Sequence, residues 1–173
     1  MARLRRDPQV DWPREHHDLV RRALGTLDPW SYRVAAMDPA SGADYAAVGT
    51  TGVFVIAIQG VEGYVEPKGA GLTIDGHPLE GTRRVAKAAK KAKSDLLGKR
   101  VFVDVVPILC LTKATAGVSR TVSGVRVVRL ADLASEISAR PRALELDSAQ
   151  KAAAALGKVL PTVSGPRPEA EGV

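Results

Sequence analysis

Two apolar runs bracketed by glycines stand out along the chain. Residues 43–48 are rich in small or β-branched side chains, residues 53–59 read Val-Phe-Val-Ile-Ala-Ile-Gln, and Gly49-Thr-Thr-Gly52 lies between them, a pattern that predicts an antiparallel hairpin. The second run has almost no polar alternation, so it predicts a strand covered on both faces, as in an α/β protein with helices on each side of a sheet. Before it, a proline at the opening turn, Gly25 at the end and an apolar stripe of Leu19, Val20, Ala23 and Leu24 predict a helix over 13–24. Residues 30–37 alternate enough for a strand along one edge of the sheet, and 38–42 carry the turn residues of a loop.

Beyond the hairpin, short strands are expected over 63–66 and 72–74. Thr82 can cap a helix over 83–97 that Gly98 stops; Val85, Ala89, Ala92 and Leu96, spaced 4, 3 and 4, form the face it lays on a sheet. Residues 100–111 read as a long strand whose first half, with Phe102, Val103, Val105 and Val106, is central and buried. Asp104 inside it reads as a partnered buried carboxylate rather than one facing an opening, and Pro107 marks a bulge or an edge position. A loop over 112–123, a last strand over 125–130 and helices over 132–139 and 147–156 complete the order. The result is a single α/β domain over 14–160 with a mixed, largely antiparallel central sheet flanked by helices. A flexible arm is expected over 1–13 and a disordered tail over 161–173.

Composition narrows the class. At 173 residues with 45% hydrophobic content the chain is long enough for one real core. No apolar run approaches the roughly 20 residues that cross a bilayer, and no apolar segment follows the basic start, so neither membrane insertion nor a signal peptide is expected and the cytoplasm is the expected setting. The lone Cys110 reads as a small buried core residue. His16 and His17, being adjacent, point apart on a helix and read as surface histidines rather than metal ligands. The charge is uneven. Between positions 83 and 100 eight basic residues face Asp95 alone, one charge more than the whole-chain net of +6, so the rest of the chain is close to neutral. Arg83, Arg84, Lys87, Lys90 and Lys91 fall away from the apolar face of their helix as a basic surface suited to the phosphates of DNA or RNA. Aromatics make up 4% of the chain and none is interleaved with these cations, so base readout by stacking is not expected there.

Asp44 opens the first strand of the hairpin and Gln59 closes the second. From residue type alone, Asp44 is either a metal ligand or a carboxylate bonding nearby backbone. Asp44, Gly49 and Gly52-Val53-Phe54-Val55-Ile56 resemble the nuclease-related domain family known as NERD, of the PD-(D/E)xK restriction-endonuclease-like fold. The family pattern runs Ile-Asp-His-Val-Val-Val-Gly, a short turn, Gly-Val-Phe-Val-Ile, then Glu-x-Lys. The resemblance covers roughly positions 15–139 and implies a restriction-endonuclease-like core. It also implies a divalent metal held between Asp and Glu, a Lys that orients or activates water, and a Glu in the first helix, here Glu15. Ala57 stands where the family has its Glu and Gln59 where it has its Lys, so the implied catalytic motif is degenerate and Mg²⁺ would be held weakly, by Asp44 if at all. The expectation is a catalytically inactive nucleic-acid-binding or scaffold module. A relocated, metal-dependent nuclease built from Asp44, Glu15 or Glu66, and Lys68 is the alternative, and a protein-interaction domain without nucleic acid is a third. Glu66-Pro67-Lys68 falls one strand late and carries a proline, which argues against its having replaced the pair.

Overall fold

The computed structural model describes residues 12–69, 71–79, 81–116 and 119–161, so nearly all of the expected arm (1–13) and tail (161–173) lies outside the described residues. In chain order, α1 (Arg14–Leu24) leads to β1 (Tyr32–Ala36), the hairpin β2 (Tyr45–Gly49) and β3 (Gly52–Gln59), then the short strands β4 (Tyr64–Lys68), β5 (Gly71–Ile74) and β6 (His77–Pro78). Helix α2 (Gly81–Gly98) crosses back to β7 (Val105–Leu111). After it come β8 (Thr115–Ala116), β9 (Arg120–Val122), β10 (Val125–Arg129), α3 (Leu133–Ser138), α4 (Leu146–Leu156) and β11 (Lys158–Val159).

The central sheet has seven strands in the order β11-β1-β2-β3-β7-β10-β9, and a smaller one runs β6-β5-β4-β8. β3 is parallel to β7 and β7 to β10, while every other neighbour in the central sheet is antiparallel. A mixed, largely antiparallel sheet flanked by helices is therefore what the pattern predicted.

The hairpin carries the architecture. β2 and β3 pair from Gly49–Gly52 at the turn to Tyr45–Ile56 at the far end. Gly52 holds φ at +131°, a value that side chains rarely adopt, and a Cβ on Gly49 would meet the Ser31 carbonyl oxygen at 2.5 Å. Both glycines beside Thr50-Thr51 are thus required, one by backbone conformation and one by close approach. All of β3 except Gln59 is buried. Phe54, Ile56 and Ile58 pack with Val20 and Leu24 of α1 and Leu133 and Ile137 of α3. Val55 and Ala57 pack with Val85, Ala88 and Ala89 of α2, so the unbroken apolar run reports a strand covered on both sides. α4 lays Ala149, Ala152 and Ala153 against Ala46 and Val48 of β2. Cys110 is buried in the same layer as Phe54, and burial pushes its thiol up to about 12.

Several expectations are corrected. β1 is not an edge strand, because the two-residue β11 pairs outside it. The strand expected over 100–111 begins only at Val105; Phe102 is 76% exposed, and Asp104 is an exposed carboxylate that accepts a 2.7 Å hydrogen bond from Lys93. That bond holds its carboxyl below the usual range. Pro107 makes no bulge: it stays in register with Val55, and β10 starts pairing only at Ile108, so the proline sits where β7 has no ladder on its other side. The loop expected over 112–123 contains β8 and β9, and β11 follows the strand taken as last.

The end of α2 also differs from expectation. Gly98 is its last residue, yet the stop is made by Arg100 in the left-handed conformation, φ +60°. The Arg100 N–H bonds the Leu97 carbonyl at 3.0 Å and the Val101 N–H bonds the Leu96 carbonyl at 2.9 Å. Buried Leu96 and Val101 share one cluster, which completes a Schellman motif with arginine where glycine is usual. Arg100→Gly removes the strain and is expected to raise stability by about 0.5–1 kcal/mol, which thermal unfolding reads as roughly 1–4 °C. A lowered midpoint would contradict the placement of Arg100.

Candidate nucleic-acid interface

Four of the positions singled out by sequence, Glu15, Asp44, Ala57 and Gln59, lie toward one end of the central sheet, where the parallel strands β3 and β7 finish and β2 begins. Asp44 precedes β2 by one residue, and its backbone N–H bonds the Ile56 carbonyl at 2.8 Å. Its carboxylate Oδ2 accepts the Ile58 N–H at 2.8 Å, so this side chain does bond nearby backbone. Asp44 lies one residue before the Tyr45–Ile56 pair, so the same register continued by one position brings it opposite Ala57, which is buried. Gln59 ends β3, and its carbonyl accepts the Thr112 N–H at 3.2 Å, tying the ends of β3 and β7 together. The Gln59 amide lies near the start of α2: a Cβ added to Gly81 would sit 3.6 Å from Nε2. Glu15 stands on α1 with its carboxylate 3.2 Å from Lys113 Nζ, just past the end of β7.

Chemically this end is poor in charge that could work on a phosphodiester. Ala57 brings no polar group, and the amide of Gln59 is neither acid nor base. Glu66 and Lys68 are exposed on β4, which belongs to the smaller sheet and not to the central hairpin. Among the described residues no group of three or more His, Cys, Asp or Glu side chains is placed to hold a metal ion.

What sequence reasoning missed is a polar network beneath α1. His16, read as a surface residue, is 6% exposed; its Nδ1 lies 2.6 Å from Thr112 Oγ1, and Trp12 tilts against the ring at 5.6 Å. His17 points elsewhere, its Nδ1 lying 2.9 Å from the hydroxyl of buried Tyr45, which also accepts the Arg21 Nε–H at 3.0 Å. The Tyr45 phenol is pushed up, chiefly by burial, although the Arg21 hydrogen bond and charge pull it the other way. One signal in the sequence pointed to the burial of His16: it lies four residues before Val20 and eight before Leu24, on one helical stripe.

α2 starts at this end and runs back along the sheet. Val85, Ala88, Ala89, Ala92 and Leu96 are its buried residues, which includes all four expected and adds Ala88. Arg83, Lys87, Lys90 and Lys91 are exposed on the opposite face, whereas Arg84 is half-buried, with its backbone oxygen and Cγ closing over Gly42. No described helix is long and apolar enough to cross a membrane. Comparison with protein-family models, with curated proteins and with solved structures finds no match for this chain.

Proposed function

We propose that this chain is a NERD-like domain with a restriction-endonuclease-like core that binds nucleic acid in the cytoplasm without hydrolysing it. The observation that carries the reading is the outward face of α2. There Arg83, Lys87, Lys90 and Lys91 are exposed together on a helix whose other face is locked into the core by five buried residues. Each cation that neutralises a phosphate releases counterions, so a fixed row of them gives affinity that falls as salt rises. Phosphate contacts of this kind position the protein without reading sequence.

The residues at the family's metal positions do not fit a working Mg²⁺ site. Asp44 already accepts the Ile58 N–H, Ala57 lacks the second carboxylate, and Gln59 replaces the ammonium. Glu15 is engaged by Lys113. No step through a metal is therefore assigned.

The test is one titration of labelled DNA and RNA with Mg²⁺ or Mn²⁺ present, read for binding and for cleavage. Binding that weakens as salt rises, with intact substrate, is the expected result. Metal-dependent cleavage that disappears in Asp44→Ala would overturn the inactive reading in favour of relocated ligands. Absence of any salt-dependent binding would leave a protein-interaction domain.

A further inference from the structure

On one face of the central sheet α4 lays its alanines over Ala35, Ala46 and Val48. On the other face α1 stops at Leu24, and a cavity of about 290 Å³ lies between its end and β1. Buried Leu24, Leu27 and Tyr32 and half-buried Val34 and Leu160 line it. Polar groups in this wall are engaged elsewhere. The Tyr32 hydroxyl meets Thr51 Oγ1 at 2.9 Å, the Leu27 N–H bonds the Leu24 carbonyl at 3.1 Å, and the Leu160 N–H bonds the Val34 carbonyl at 2.8 Å. Pro29 and Pro161, also in the wall, have no N–H to offer. The lining is therefore largely hydrocarbon, and Arg21 is its one charged member among the described residues.

We propose that this cavity binds a small amphipathic carboxylate, its alkyl chain packed among Leu24, Leu27, Tyr32 and Val34 and its head group met by Arg21. An apolar hollow with one polar anchor is the usual build of a small-molecule site. Its volume is roughly ten times that of one water in the liquid, room for a chain of about eight carbons with its carboxylate. Arg21 is held in place from behind: its Nε–H donates to the Tyr45 hydroxyl at 3.0 Å, and Cζ lies 5.6 Å from that ring's centroid. Neither Nη bonds another group among the described residues, and a guanidinium presents paired donors that match a carboxylate. The site is independent of the basic face of α2.

The charges around the mouth suit an anion. Arg21 and Arg22 stand in the last turn of α1, where they offset the negative end of the helix dipole, and Arg33 donates to the Pro29 carbonyl. Asp18, one turn back on α1, is exposed, and Asp28 already accepts the Trp30 N–H and the Ser31 hydroxyl; neither lines the cavity.

Titrating the isotopically labelled full chain with octanoate is expected to move the Gly25, Leu27 and Val34 amide resonances saturably, with a Kd of about 0.1–1 mM. Hexanoate, two methylenes shorter, is expected to bind about 4- to 15-fold more weakly, since each buried methylene contributes roughly a factor of four. Arg21→Leu is expected to weaken octanoate by about 3- to 10-fold while octanol, the same chain without the charge, stays within about twofold. Arg21→Lys keeps the charge and should recover part of that loss. Val34→Phe fills the cavity and is expected to weaken both ligands by more than about tenfold, its thermal midpoint showing that it folds. Octanoate affinity unchanged in Val34→Phe would overturn the site. Equal losses of octanoate and octanol in Arg21→Leu would overturn the role given to the charge. Unmoved resonances at the three amides would overturn the ligand and leave the cavity to a second copy if sedimentation shows a dimer, or to residues 162–173 if it shows a monomer.

Discussion

Replacing Lys87, Lys90 and Lys91 together by glutamate is expected to weaken binding of DNA and RNA by more than about a hundredfold at low salt, and to flatten its salt dependence. Each cation that meets a phosphate contributes about 0.9 to the slope of log affinity against log salt on duplex DNA, so removing three lowers its magnitude by roughly 3. The reversal also sets three carboxylates against the polyanion, which a Lys→Gln series separates from simple loss. All three lysines are exposed and face away from the residues that α2 buries. Stability should therefore move by no more than about 0.5 kcal/mol. A variant that folds normally and binds as before would remove the observation on which the nucleic-acid reading stands.

The largest effect on stability is expected at Phe54. Its side chain is fully buried in the middle of β3, in register with Ala47 on one side and Val106 on the other, and it packs in the layer that α1 and α3 cover. Phe54→Ala is expected to cost about 3–5 kcal/mol, because the lost transfer energy is joined by a cavity that strands tied on both sides cannot close. Against a total of about 5–15 kcal/mol this is a large share, read as a fall of roughly 10 °C in the thermal midpoint. Phe54→Leu keeps most of the volume and should cost less than about 2 kcal/mol. The alanine variant also removes the ring beneath Arg140, so some loosening of the β2–β3 turn end should accompany it. A cost under about 1 kcal/mol would contradict the packing described.

The parts of this fold that could be read from sequence are those whose signal is local. The hairpin over 43–59 announced itself through paired apolar runs and two glycines, and the buried face of α2 through spacing alone. Strands of two or three residues carry no such pattern. β8 and β11 exist because neighbours at Tyr64 and Ala35 hold them in place, and propensity has no purchase on contacts so distant in sequence, while β9 is a three-residue arm of a local hairpin with β10. Phe102 was misread for a related reason. The run Val101-Phe-Val-Asp-Val-Val looks like one buried strand, but the Schellman exit at Arg100 turns Val101 into the core and leaves Phe102 outside. His16 went unrecognised because its partner, Thr112, is 96 residues away. At the candidate site, the uncharged residues at positions 57 and 59 are plain in the sequence. The backbone hydrogen bond that occupies Asp44 depends on the strand register and became visible only in three dimensions.

β11 has a consequence for solution behaviour. Its Lys158 and Val159 pair with Ala36 and Ala35, and the Leu160 N–H bonds the Val34 carbonyl at 2.8 Å, so these few residues occupy the open side of β1. Bare, that side would offer a row of backbone donors and acceptors to the same edge of another copy, the geometry from which intermolecular sheets and aggregates grow. The cover is poorly suited to recruiting a further strand: it is two residues long, it carries an exposed lysine, and Pro161, which follows Leu160, has no N–H to donate. The geometry of this short segment therefore disfavours strand addition by another copy at the β1 side of the sheet.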